Sequence, residues 1–403
     1  MGVPRATDGP YWDPYDVELD TDPHPAWKRL RDEEPVYWNN RFGFFALSRH
    51  ADVEAAHRMP RELSSAYGTV LEIMTTPGDE RSAGTKRLIV LDPPEHDRLR
   101  ALVSRAFTVR RIAQLEPEVR RICADLLDAR VGAGGFDYLG EFGSIIPSEV
   151  ISALLGVPGA DRAGVRDLID RVFHIEPGVG MINETSMAAS GALLGYLGDQ
   201  LEERRRSPRD DMMTALVHAT IDEDGETRGL TSEEALGFAN LLLAAGTETT
   251  ARLLGWAVVL LDQHPHQREV LARDPGAVPG AIDEVLRYEA PSAVQGRTAT
   301  KDLEIQDTKI PAGSKVLLLT GSAGRDERAY PDADRFDIGR SAAHLSFGHG
   351  VHYCIGAALA RLEARVALEE TLKRFPSWLV DYDRAERIHT STVRGWSHVP
   401  ITC

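Results

Sequence analysis

The chain has 403 residues, with 46 Lys and Arg against 62 Asp and Glu for a formal net charge of −16. Hydrophobic residues make up 42% and charged residues 27%, ordinary globular usage that excludes a disordered, fibrous or collagen-like chain and leaves ample material for a core. The acidic balance argues against a nucleic-acid-binding protein.

The N-terminal segment through Asp20 holds acids and prolines but no apolar run, so no secretory signal is expected. Pro25 to Glu34 reads as a short helix after the Asp22-Pro23 turn. Val36 to Ser48, rich in aromatic and β-branched residues around Asn39-Asn40, predicts a hairpin, and Ala51 to Met59 a helix. Residues 60–90, with Pro60, Gly68, Pro77 and Gly78, form a long irregular stretch of the kind that is usually functional or mobile. Ile112, Leu115, Val119, Ile122 and Leu126 fall at helical spacing and predict one helix over Val109–Val131, ended by Gly132–Gly135. Ile146–Leu155, Ala160–Phe173, Ser186–Arg205 and Asp211–Thr220 follow as helices, with a break at Pro177–Gly180 and a turn at Asp222–Gly225.

Thr231, with Glu234 three residues on, forms a capping box. It opens the longest helix, which can run to Gln263 before His264-Pro265 stops it, about 50 Å at 1.5 Å per residue. That helix is apolar on nearly all sides, so the fold is expected to be built around it. Asn240, Glu248 and Arg252 interrupt its apolar stretch 235–261, which therefore fails as a membrane span. Residues 277–289 form a further helix, and Leu303–Ile305 and Ser314–Leu319 read as strands flanking the Pro311-Ala312-Gly313 turn. A last helix runs from about Gly356 to Phe375, ends at Pro376, and leaves a tail with strand-like pieces. With no clean linker, the expectation is one domain over 1–403, mainly α with a smaller β-rich portion drawn from both ends. Cys123, Cys354 and Cys403 are too few and too scattered for a disulfide framework, which fits a reducing cytoplasm.

The most informative segment is Ser346 to Gly356, just before the last helix. Glycines at 348, 350 and 356 permit a tight loop and close approach of backbone to a flat ligand. Cys354 stands at the mouth of the helix, where backbone N–H groups and the dipole stabilise a thiolate that can ligate haem iron. A lone cysteine is more often a small buried hydrophobe. A zinc site is a further reading, since His344, His349, His352 and Cys354 supply four ligand types, although the paired arms usual in structural zinc sites are missing.

Phe-Gly-x-Gly-x-His-x-Cys-x-Gly, from Phe347 to Gly356, resembles the haem-ligand loop of the cytochrome P-450 family at every fixed position. The resemblance implies that haem b (iron protoporphyrin IX) lies between the long central helix and the cysteine loop. Cys354 would be the axial metal ligand, His352 would lie beside a haem propionate, Phe347 would pack near the thiolate, and Gly356 would complete the cofactor loop.

Ala245-Gly246-Thr247-Glu248-Thr249-Thr250 lies in the middle of the long helix. Mid-helix Gly costs about 1 kcal/mol relative to Ala, and small residues such as Ala245 would let a flat cofactor lie against the helix. The Thr249 hydroxyl can bond the carbonyl of residue 245, and Glu248 is costly there unless solvated or paired. Taken alone this is a charge at a kink or on an exposed stripe. The segment resembles the family's oxygen-activation motif, which implies that Glu248 and Thr249 deliver protons, through water, to dioxygen as it is reduced. Glu284 and Arg287 share a helix face and can pair, and they resemble the family's Glu-x-x-Arg motif, whose role is structural. His96 and Arg100, four apart on one helix, and Arg297 match family positions that hold the haem carboxylates, to which Arg offers bidentate geometry. Gly324 stands where many bacterial relatives carry Asn, a departure that concerns a local turn contact.

The resemblance covers nearly the whole chain and implies a haem-thiolate monooxygenase that inserts one oxygen atom of O2 into a hydrophobic small molecule. No flavin or nicotinamide fingerprint is visible, so electrons from NAD(P)H are expected to arrive indirectly, through a separate ferredoxin and ferredoxin reductase. A docking face is expected on the thiolate side near Arg340, His349, Arg361 and Arg365. The substrate pocket maps to Val70, Leu71, Ile73 and Met74, to Leu241, Leu242 and Ala245, to Ala293 and Val294, and to Thr392 and Val393, mostly apolar residues. Two rivals are a peroxygenase using H2O2, against which the Glu248-Thr249 pair argues, and a non-catalytic haem sensor or carrier, against which the relay and the apolar pocket argue.

Overall fold

The computed structural model describes residues 9–74, 87–104, 107–176, 179–223, 226–341 and 343–403. Pro77, Gly78, Pro177 and the Asp224-Gly225 part of the expected turn lie outside the described residues. Helices dominate, and the longest, Ser232–Gln263, has 32 residues, about 48 Å of axis. It starts as its sequence requires. Thr231 Oγ1 accepts from the Glu234 N–H at 3.1 Å, and Glu234 Oε2 accepts from the Thr231 N–H at 2.8 Å. From Ala235 to Leu261 its buried residues point in all directions, so it lies inside the main core and packs on Ile145–Leu155, Glu184–Arg206 and Ala357–Arg374. Gly246 serves that packing: a Cβ there would sit 3.3 Å from the Ile151 side chain, so this glycine faces a neighbouring helix, not a cofactor.

The β portion does come from both ends of the chain. A five-stranded sheet runs Val36–Asn39, Phe44–Leu47, Lys315–Leu318, Gln295–Ala299, Leu63–Ser64. The first two strands are the expected hairpin, and Phe44–Leu47 pairs in parallel with Lys315–Leu318. A three-stranded sheet joins Leu379–Val380, Pro400–Thr402 and Gly135–Asp137.

Three expectations need correction. The predicted helix 109–131 is two helices, Val109–Ala113 and Glu116–Asp128. Pro117 opens the second because its ring lacks an N–H and clashes one turn back. The predicted helix 211–220 stops at Val217, and Thr220–Glu223 pairs instead with Glu226–Gly229 as a hairpin. Leu303–Ile305 does not flank the 311–313 turn directly, because a further strand, Thr308–Ile310, stands before it. Leu303–Ile305 pairs with that strand through a two-residue turn in which Gln306 and Asp307 have φ of 49° and 61°.

The Glu284–Arg287 pair is fully buried, with Nε to Oε2 at 2.7 Å and Nη2 to Oε1 at 2.8 Å. Arg287 also donates to the carbonyls of Gly324, Ala333 and Arg335, and Glu284 accepts from the Asp337 N–H. The pair thus ties the helix Val278–Tyr288 to the chain that leads into the cysteine loop. The departure at Gly324 has its reason here: a Cβ would lie 2.2 Å from the Arg287 carbonyl oxygen.

Candidate active site

The cysteine loop is shaped by two glycines with positive φ, Gly348 at 70° and Gly350 at 68°, before the helix Ala357–Arg374 begins. The Cys354 N–H donates to the Phe347 carbonyl at 2.8 Å, which closes the loop on itself. The thiol is reached by solvent on one side while protein crowds it on the others. Burial raises its pKa; the backbone N–H of Gly356, then Arg100, Arg361 and the N–H of Ala357 pull it back down. Phe347 packs partly buried beside it, with the Arg361 guanidinium 4.6 Å above its ring. Among the described residues no group of three or more His, Cys, Asp or Glu could hold a metal ion, which removes the zinc reading. His344 is instead engaged with Asp283 and the Ser346 N–H.

Next to this loop the fold gathers cationic side chains. His96 and Arg100 come from the helix Glu95–Ser104, His352 from the loop and Arg297 from the strand Gln295–Ala299. The rings of His96 and His352 lie 4.3 Å apart, and Arg100 donates to the Tyr353 carbonyl at 2.5 Å. Burial, then Arg297, His96, Arg100 and His57, lower the His352 pKa to about 3. Burial lowers Arg297 to about 10, with Asp92 opposing. Asp92 is itself taken up by the Ser64 hydroxyl and the Ser65 N–H. His96 Nε2 is buried and has no hydrogen-bond partner. A cluster of imidazoles and guanidinium groups that outnumbers its two acids, Asp92 and Asp97, and keeps an unsatisfied nitrogen fits a ligand that brings carboxylates, as haem does. Serine 65, which holds His352 Nε2 at 3.2 Å, carried no sequence signal.

On the central helix Ala245 is an exposed residue among buried ones and Thr249 is half-buried. The Thr249 hydroxyl donates to the Ala245 carbonyl at 3.1 Å, the bond its spacing allows. Glu248 is neither at a kink nor on an exposed stripe. It is buried and held by Arg252, Nε at 2.9 Å and Nη2 at 2.6 Å, both on Oε1. Arg252 also donates to the Trp396 carbonyl. That pairing was readable as opposite charges four apart on a helix, a signal not used above. Asp170 lies near enough that the charge of Glu248, after burial, raises its pKa.

Three of the four expected pocket segments meet. Thr392 accepts at its carbonyl from the Ala293 N–H at 2.9 Å and the Val294 N–H at 3.3 Å, and Val393 bridges Ser292. Leu71 and Met74 pack with Ala293 and Val294 in one cluster. These four are buried within that cluster, Val70 is half-buried, and Ile73 is exposed. On the central helix Leu241 is half-buried, whereas Leu242 is packed into the main core.

The basic residues expected at a docking face are less free than their sequence suggests. Arg340 turns inward to Glu284 and the carbonyls of Pro331 and Asp332. Arg365 pairs with Glu116 and Glu369, and Arg361 with Asp283. Arg110 and Arg111 are exposed on a helix that packs against Ala357–Arg374.

Comparison with known proteins completes the description. The family model described as cytochrome P450 matches residues 278–393. The protein named putative cytochrome P450 123 of Mycobacterium tuberculosis is 42% identical over 97% of this chain and 96% of its own length. The vitamin D(3) 25-hydroxylase of Pseudonocardia autotrophica is 39% identical over 94% of this chain and 93% of its own. The structure of cytochrome P450 CYP109Q5 from Chondromyces apiculatus superposes with a TM-score of 0.87 at 36% identity, covering 97% of both chains. With a cysteine loop, a cationic cluster and a central helix arranged as described, this chain belongs to the cytochrome P450 family, enzymes of the haem-dependent, dioxygen-using monooxygenase type.

Proposed function

We infer that this protein hydroxylates or epoxidises an apolar small molecule, with haem b held through Cys354 and electrons drawn from NAD(P)H by way of a ferredoxin and its reductase. The observation that carries the reading is the Cys354 thiol set on the N–H groups of Gly356 and Ala357 at the mouth of the helix Ala357–Arg374. When bound, haem supplies the reductive activation of dioxygen and the insertion of one oxygen atom into the substrate.

The chain's own residues do the rest. Cys354 is the ligand, and Arg100 and Arg361 beside it favour its thiolate. His96, Arg100, Arg297 and His352 hold the two carboxylates, and Phe347 shields the sulfur. Glu248 supplies protons through water towards the Thr249 hydroxyl, which its bond to Ala245 keeps in place. Arg252 holds the Glu248 side chain in place through two hydrogen bonds to Oε1. Val70, Ile73, Leu241, Val294 and Val393, with Leu71, Met74 and Ala293 packed behind them, give a dry wall for a hydrophobic substrate. The relative that acts on vitamin D(3) supports a substrate of that apolar kind.

The test is spectroscopic. The reduced protein with carbon monoxide is expected to show the thiolate-type Soret band, and Cys354→Ser to lose it. An undiminished thiolate band in the Ser variant, or a colourless native protein, overturns the reading.

A further inference from the structure

His57 ends the helix His50–His57 and is 5% exposed. Both of its ring nitrogens are buried and without a hydrogen-bond partner. A buried polar group left unmade costs about 1–3 kcal/mol, and a ring with two of them needs a reason. Val53 and Ala56, the other apolar buried residues of this helix, show that an aliphatic side chain would suit the packing at no such cost.

The reason lies in what the ring faces. It abuts the cysteine loop: a Cβ on Gly348 would sit 3.7 Å from His57 Cε1 and 3.9 Å from Nδ1. A Cβ on Gly350 would fall 2.5 Å from the His57 carbonyl oxygen, so loop and helix end are locked together. Its electrostatic neighbours are Arg297 and His349, which with burial hold its pKa near 3, and it acts in turn on His352. A neutral imidazole at this place still has an N–H to give. Water could satisfy the ring but would bring no negative charge to Arg297, whose acidic neighbour Asp92 makes its hydrogen bonds to Ser64 and Ser65. A carboxylate satisfies both.

We propose that His57 is a further member of the haem carboxylate cradle, donating a hydrogen bond, through at most one water, to the propionate that Arg297 also faces. This rests on the reading of Arg297 and His352 as propionate ligands. The family pattern that marks His96, Arg100, Arg297 and His352 gives no hint of it, since His57 lies in a segment that carries none of those motifs.

The test uses the ferric holoenzyme in two measurements: the rate of haem transfer to excess apomyoglobin, and the propionate bending band in the resonance Raman spectrum. His57→Leu is expected to lose haem about tenfold faster and to shift the band, as expected for one lost hydrogen bond to a charged group. His57→Gln, which keeps a donor, is expected to stay within about threefold of the native rate. His57→Ala is read in the same way should the Leu variant yield no holoprotein. His352→Leu separates the two levels of the argument. If it speeds haem loss while the His57 variants match the native protein in rate and band, the assignment of His57 falls and the cradle stands. If neither position changes rate or band, the cradle falls and His57 with it.

Discussion

At the scale of single residues, one buried acid makes stability depend on pH. Glu363 lies in the helix Ala357–Arg374, fully enclosed, with Oε1 lacking any hydrogen-bond partner. Burial alone raises its pKa to about 8. The folded chain therefore holds the proton longer than the unfolded chain. Its contribution to stability is complete below the ordinary carboxyl pKa and is lost as pH rises towards 8. Glu363→Gln is expected to flatten that decline and to gain on the order of 3 kcal/mol at pH 7. Unfolding midpoints measured from pH 5 to pH 8 check this, and parallel profiles for the two proteins would refute it.

At the scale of elements, the Glu284–Arg287 pair joins the helix Val278–Tyr288 to residues 324–340. Both charges are buried, so removing one leaves the other uncompensated, at a cost of about 3–5 kcal/mol. Glu284→Gln should lower the thermal midpoint by roughly 4–6 °C and loosen the approach to the cysteine loop. A midpoint equal to that of the native protein would show the pair to be dispensable. Both residues were legible in the sequence because they sit three apart on one helix. The Thr231 capping box and the Thr249–Ala245 bond were legible for the same reason, since local spacing fixes local geometry. The split at Pro117 was also written in the sequence, but helical periodicity on both sides concealed it. What local spacing cannot carry is pairing across the chain. The parallel pairing of Phe44–Leu47 with Lys315–Leu318, and the meeting of Ser65 and His57 with the cysteine loop, depend on tertiary contacts.

At the scale of the whole molecule, a net charge of −16 repels an acidic electron donor, so association requires a local basic face. Arg340, Arg361 and Arg365 are each paired with an acid, which moves that face towards Arg110 and Arg111 beside the helix Ala357–Arg374. The double variant Arg110→Glu/Arg111→Glu is expected to slow reduction by a ferredoxin about tenfold or more at low salt, with the deficit shrinking as ionic strength rises. Stopped-flow reduction rates that match the native protein at every salt concentration would remove this face from consideration. Among the described residues no helix is long and apolar enough to cross a membrane.

The parallel pairing of Phe44–Leu47 with Lys315–Leu318 has a consequence for biosynthesis. The two strands are about 270 residues apart, so at ribosomal speed the earlier one waits roughly 14–54 s for its partner. During that interval the nascent hairpin Val36–Leu47 presents an open edge, and the loop that carries Cys354 has not yet been made. If Cys354 is the haem ligand, as proposed, haem capture follows the closing of this sheet edge.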